Sequence, residues 1–119
     1  MKRCVTPGDS WPNNMLVKGS SDDDQPPRVF LVDFQLCRYG PRTIDLAELV
    51  YLSTRRETRE THERDVLEVY HRELTRCLGS AAPADSKPSV EDVRGEYEEL
   101  RLTAMYLALV HLPVICIDK

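Results

Sequence analysis

Two short apolar runs flanking a breaker segment constrain this chain more than any other feature. "NMLVK" (residues 14–18) and "RVFLVDF" (residues 28–34) are rich in Val, Leu and Phe. The stretch between them, "GSSDDDQPP" (residues 19–27), has turn and breaker residues and little else. This pattern predicts two antiparallel strands joined by a long polar tip that includes Asp22, Asp23 and Asp24. The three Asp lack the alternation, the Gly and the terminal Glu of a calcium loop, so they read as solvated charge. The second run is apolar at nearly every position, which predicts a strand buried on both faces. "LCRYGPR" (residues 36–42) follows and reads as a loop.

The hairpin also organises the chemistry. In an antiparallel pair the start of the first strand lies beside the end of the second. Asn14 opens the first strand and Asp33 nearly closes the second, so the two arrive at one end. Asp9, in "TPGDSWPNNMLV" (residues 6–17), is a short loop's reach from that spot. Taken alone, Gly8-Asp9 is a common turn and Asn13-Asn14 a common strand entry. Together, two carboxylates and an amide oxygen form a hard oxygen set of the kind that suits magnesium, which keeps several waters and takes further ligands from phosphates. In phosphoryl transfer, one Asp of such a set positions and deprotonates the attacking hydroxyl while the other groups hold metal on the phosphates.

Three helices are predicted after the hairpin. The first spans residues 43–54, where Ile44, Leu46, Ala47, Leu49, Val50 and Leu52 leave little polar surface, so it should be largely buried. The second runs from about residue 60 to 78, with Val66, Leu67, Tyr70, Leu74 and Leu78 at helical spacing and Gly79 as its stop. "SAAPADSKP" (residues 80–88) is a linker. Ser89 reads as the N-cap of the third helix, with Glu91 and Asp92 complementing the dipole of its first turn. That helix is expected to end at Leu112, because Pro113 follows. Trp11 is expected to bury against neighbouring helices, and His62, His71 and His111 to serve packing or surface roles.

Composition narrows the function classes. The chain has 119 residues, enough for one core, with 16 basic and 20 acidic residues and a net charge of -4. No excess of clustered Lys and Arg marks a nucleic-acid footprint. The run "RRETRETHER" (residues 55–64) alternates charges, so Glu60 and Arg64 can pair along a solvated helix face. The four cysteines form no CxxC or Cys-His cluster, which argues against zinc; with no signal peptide, reduced thiols in a cytoplasmic protein are the expectation. The most apolar stretch, residues 104–117, is broken by His111 and Pro113 and is shorter than the roughly 20 residues a membrane span needs. Neither a nucleic-acid nor a membrane partner is expected.

"GDSWPNNML" followed by "VFLVDFQ" resembles the catalytic and metal-binding segments of the kinase-like phosphotransferases, which include choline and ethanolamine kinases and aminoglycoside phosphotransferases. The Trp two residues after the Asp, with DFQ where protein kinases have DFG, resembles a narrower group, the ecdysteroid-kinase-like or CHK kinase-like family. "IDLAELVYLS", "VLEVYHRELTRCL" and the segment from Ser89 onward are similar to that family's C-terminal helices. The resemblance implies an α+β, mostly α fold: a partial protein-kinase-like C-lobe over residues 1–119, with catalytic loop and metal hairpin in 1–42 and helices in 43–119. It further implies that Asp9 is the catalytic base, that Asn14 and Asp33 are magnesium ligands, and that Asp45 supports the catalytic loop. ATP and magnesium are the implied cofactors. The implied substrate is a small molecule with a hydroxyl, ecdysteroids being named for some members.

Two departures from the family pattern bear on activity. Pro7 stands where the pattern has a His that braces the loop, and Pro supplies neither a side-chain polar group nor an N–H. The six residues before Pro7 have no room for the ATP-gripping N-lobe. Three functions follow as expectations: a small-molecule kinase of which this chain is the C-terminal part and inactive alone, a non-catalytic remnant binding a protein partner over an exposed apolar face, and a pseudokinase-like module with residual metal or nucleotide binding.

Overall fold

The computed structural model describes residues 1–19, 26–80, 82, 83 and 86–117. The elements in chain order are β1 (Arg3–Thr6), a 3-10 turn (Pro12–Asn14), β2 (Met15–Lys18), β3 (Arg28–Leu31), β4 (Arg38–Pro41), α1 (Ile44–Ser53), α2 (Arg56–Leu78) and α3 (Val90–Ile117). The fold is α+β and mostly helical, as expected. Strands β2 and β3 form the anticipated antiparallel hairpin, in the register Met15 with Leu31 through Lys18 with Arg28. Asp22, Asp23 and Asp24, expected at its tip, lie outside the described residues.

A second small sheet was not legible in the sequence. β1 pairs antiparallel with β4, from Arg3 opposite Pro41 to Thr6 opposite Arg38. Part of "LCRYGPR" is therefore a strand rather than a loop. Its partner, four residues near the chain start, shows no clear alternation, so nothing local announces the pairing. The expected burial of the second hairpin strand is also corrected. Val29 is 58% exposed, and Phe30 and Leu31 are each 42% exposed. Among the described residues no helix packs closely on the β2–β3 ribbon, and a run of apolar residues is buried only where another layer covers it.

The core lies where the helices meet. Ala47 of α1, Leu67 of α2, and Val93, Tyr97 and Ala104 of α3 form one buried cluster, with Leu46, Tyr51 and Tyr70 packed on it. Ala47, Ala104 and Ala108 are nearly or fully buried, and small side chains at these sites let α1 and α3 approach closely. Tyr97, wholly buried, donates its hydroxyl to Glu63 Oε1 at 2.7 Å, and Arg101 closes on Glu63 Oε2 at 2.6 Å. Burial and the Glu63 carboxylate push the Tyr97 phenol well above its ordinary pKa, so it stays protonated as a donor. Arg42, just past β4, grips Glu96 of α3 through two hydrogen bonds of 2.8 and 3.0 Å. The Tyr70 hydroxyl donates to the Arg42 carbonyl at 2.9 Å, which ties α2 to the same corner.

The end of α2 and the start of α3 fall where the sequence predicts, whereas α2 begins earlier than expected, at Arg56 rather than about residue 60. Gly79 caps α2 at φ 65°, a conformation that favours glycine. Ser89 and Asp92 form a reciprocal box: the Asp92 N–H donates to Ser89 Oγ at 3.1 Å, and the Ser89 N–H donates to Asp92 Oδ2 at 2.8 Å. These bonds hold the Asp92 carboxyl below its usual range. The helix does not end at Leu112, however. α3 continues through Pro113 to Ile117. A proline removes one intrahelical donor, but its fixed φ is helical and the residues on either side can still keep the helical path. Along α2 Glu60 pairs with Arg56 and Arg64 with Glu68, rather than Glu60 with Arg64.

Candidate active site

The loop between β1 and β2 carries Asp9 and is pinned at several points. Gly8 takes φ 83°, and a Cβ placed there would sit 1.9 Å from the Leu36 carbonyl oxygen. Only glycine permits that backbone and that approach, so the loop lies directly against the segment following Asp33. The Trp11 N–H donates to the Asp9 carbonyl at 3.2 Å, and the Asn14 N–H to the Trp11 carbonyl at 2.9 Å. Trp11 is half-buried rather than wholly packed away.

Asp9 and Asn14 meet side to side. The Asn14 amide nitrogen donates to the Asp9 backbone carbonyl at 3.0 Å and to Asp9 Oδ2 at 2.9 Å. Asp9 Oδ1 has no partner among the described residues. The Val32 N–H donates to the Asn14 carbonyl at 3.0 Å, extending the hairpin ladder by one bond and delivering Asp33 just beyond it. Asp33 lies past the end of β3, is exposed, and adopts φ 62°. A non-glycine residue in that region is uncommon and carries strain, and such residues cluster at functional sites. Its carboxylate accepts weakly from the Gln35 N–H and side-chain amide, both at 3.4 Å.

The donor set fits magnesium in kind. Asn14 spends its nitrogen on Asp9, which leaves its Oδ1 as the atom that could accept a cation, and Asp33 holds spare lone pairs on both oxygens. Among the described residues no three His, Cys, Asp or Glu side chains converge as a closed metal cage. A site completed by phosphate and water does not need one.

Asp45, the second residue of α1, lies beneath the loop. Its Oδ2 accepts from the Gly8 N–H at 2.7 Å and from the Ser10 hydroxyl at 3.2 Å. Its Oδ1 accepts from Arg38 Nη2 at 3.3 Å, and the same nitrogen reaches Glu48 Oε1 at 2.5 Å. Burial raises the Glu48 carboxyl above its ordinary pKa, with the Arg38 guanidinium pulling the other way. Ser10, Arg38 and Glu48 escaped the sequence reading. The available signal was Glu48 itself, a charged residue inside a helix otherwise read as apolar.

A recess of about 360 Å³ opens beside the loop, lined mainly by apolar groups including Val5, Pro7, Met15, Leu31, Leu46 and Tyr70. Among the described residues no helix is long and apolar enough to cross a membrane. Cys4, Cys37 and Cys77 are free thiols.

Comparison with known proteins places this geometry in context. The sequence model of the ecdysteroid kinase-like family matches residues 3–82, from the start of β1 past the end of α2. No curated protein and no solved structure matches the chain.

Proposed function

The chain belongs to the ecdysteroid kinase-like family, and on that premise we propose that it carries the catalytic loop and metal-binding hairpin of a small-molecule kinase. The reaction is transfer of a phosphoryl group from ATP to a hydroxyl, with an ecdysteroid-like steroid as the acceptor class. The observation that carries this reading is the coupling of Asp9 to Asn14 at 2.9 Å, at the hairpin end from which Asp33 emerges.

Each residue then has a task. Asp9 accepts the acceptor hydroxyl's proton through the carboxylate oxygen that Asn14 does not occupy, while the 2.9 Å bond fixes the carboxylate's orientation. Asn14 Oδ1 and Asp33 would hold magnesium, which supplies charge neutralisation on phosphate oxygens when bound. Asp45 keeps the loop in place from below. Nucleotide positioning contributes much of the catalysis in phosphoryl transfer, and in this reading none of the described residues is assigned that task. The isolated chain is therefore inactive in this reading.

Purified chain given Mg-ATP and a steroid or amino-alcohol acceptor should yield no phosphorylated product, yet magnesium should shift the Asn14 side-chain amide resonances. That response should vanish in Asp33→Asn. Turnover abolished by Asp9→Asn would overturn the inactivity, and no magnesium response would remove the hairpin's metal role.

A second reading, a non-catalytic module that binds a protein partner, draws support from the exposed apolar faces. Leu16, Val17, Val29 and Phe30 on the hairpin, and Leu102, Tyr106 and Leu109 on α3, are all more than two-fifths exposed. Surfaces of that kind mark interaction sites more often than bare solvent faces.

A further inference from the structure

The side chains beneath the loop form a relay. Asp45 and Glu48 stand one helical turn apart on the same face of α1, with side chains only 10% and 6% exposed. Two carboxylates so close and so dry repel each other and lack solvation, an arrangement that needs a cation between them. Arg38 is that cation, and the geometry points to a specific consequence: we propose that Arg38, anchored by Glu48, is a positioning residue that orients the Asp45 carboxylate and so holds the Asp9 loop, the support Pro7 does not supply. This inference rests on the kinase reading of Asp9 for its functional meaning, though the relay itself is a structural claim.

Three observations support it. First, the two Asp45 oxygens divide their work. Oδ1 faces Arg38 at 3.3 Å, while Oδ2 takes the Gly8 N–H at 2.7 Å and the Ser10 hydroxyl at 3.2 Å. A carboxylate is planar, so fixing one oxygen against a guanidinium fixes where the other points. Second, the contact with Glu48 at 2.5 Å is shorter than that with Asp45. Arg38 is 41% exposed along its side chain and could swing into water without that anchor. Third, Arg38 is placed by the same strand pair that leads into the loop. It sits opposite Thr6 in the β1–β4 ladder, and the Thr6 hydroxyl donates to its carbonyl at 3.5 Å. Stem and loop are thus held by one residue, through its backbone at Thr6 and through its side chain at Asp45.

The bond between Gly8 N–H and Asp45 gives a local reporter that does not depend on catalysis. In the full 119-residue chain, Arg38→Met keeps most of the stem length but removes the donors. It should speed Gly8 amide exchange by about tenfold and move the Gly8 proton upfield, as expected on weakening a charge-assisted bond. Glu48→Leu should do the same to a smaller extent. Glu96→Gln cuts the separate Arg42 pair and serves as the control for general destabilisation; it should leave the Gly8 shift in place. If Arg38→Met does not fold, Arg38→Lys keeps the charge without the planar fork and is read the same way, with faster Gly8 exchange expected. An unchanged Gly8 shift and exchange rate in the folded Arg38 variant would overturn the proposal, as would an equal Gly8 response in Glu96→Gln. A chain that passes this test yet shows no magnesium response at Asn14 would retain the relay and lose the kinase reading.

Discussion

At the scale of single residues, the candidate site depends on a few positions with no tolerance. Gly8 combines φ 83° with a carbonyl oxygen 1.9 Å from where a Cβ would stand. Gly8→Ala should therefore displace the loop from the Leu36 segment and lower stability by more than about 1 kcal/mol, since a strained backbone and a clash with rigid backbone add together. Denaturant unfolding checks this, and a change within error would show that the loop moves freely. Thr43 presents the opposite case. Its hydroxyl is wholly buried and has no hydrogen-bond partner among the described residues. Thr43→Val keeps the shape and removes an unsatisfied polar atom, so stability should hold or rise by up to about 1 kcal/mol. A marked loss on thermal unfolding would reveal a partner for that oxygen.

At the scale of elements, the chain's local signals and its packing agree unevenly. The Ser89–Asp92 box satisfies the Ser89 and Asp92 N–H groups at the start of α3. Ser89→Ala should cost about 1 kcal/mol, measured as a lower unfolding midpoint, with the unfolding cooperativity retained. Ser89 was readable in advance as the cap because a cap is a local device, with side chain and amide belonging to neighbours in sequence; the return bond from the Ser89 N–H to Asp92 was not. The β2–β3 hairpin was readable for a similar reason, its breakers and apolar runs being adjacent. The β1–β4 pair was not, because Cys4 and Val5 find Gly40 and Tyr39 across more than thirty residues. Nor could periodicity tell that Val29, Phe30 and Leu31 would remain exposed, since exposure depends on which layer packs above them.

At the scale of the whole molecule, charge and apolar surface set measurable behaviour. Burial raises the Glu48 carboxyl above its ordinary value of 4.5. A carboxyl raised on folding makes the native state bind more protons than the unfolded chain, so its stabilising contribution is full below the ordinary value and is lost as pH rises through the raised one. The stability of the native chain relative to Glu48→Gln should accordingly fall as pH climbs from about 4.5 upward; a difference that grew with pH would reverse the assignment. The apolar faces make a second prediction. Leu102 at 77%, Leu109 at 72% and Tyr106 at 66% exposure line one side of α3, apart from the open hairpin. The purified chain should bind a hydrophobic dye and associate with rising concentration. A dye-negative monomer at high concentration would argue that these faces are covered.

The sequence by itself determined the elements whose signals are local: the hairpin, the caps of α2 and α3, the apolar character of α1, and the residue types Asp9, Asn14, Asp33 and Asp45 at spacings that resemble a kinase-type loop. The tertiary structure alone decided which groups touch. It brought Asp9 against Asn14, lowered the loop onto Leu36, and inserted Arg38 between two buried carboxylates of α1. It also carried α3 through Pro113 and left the apolar hairpin open. The physical reason is common to all of these. Propensity and capping act between near neighbours in the chain, whereas burial, charge pairing and close backbone approach exist only once distant segments share a surface.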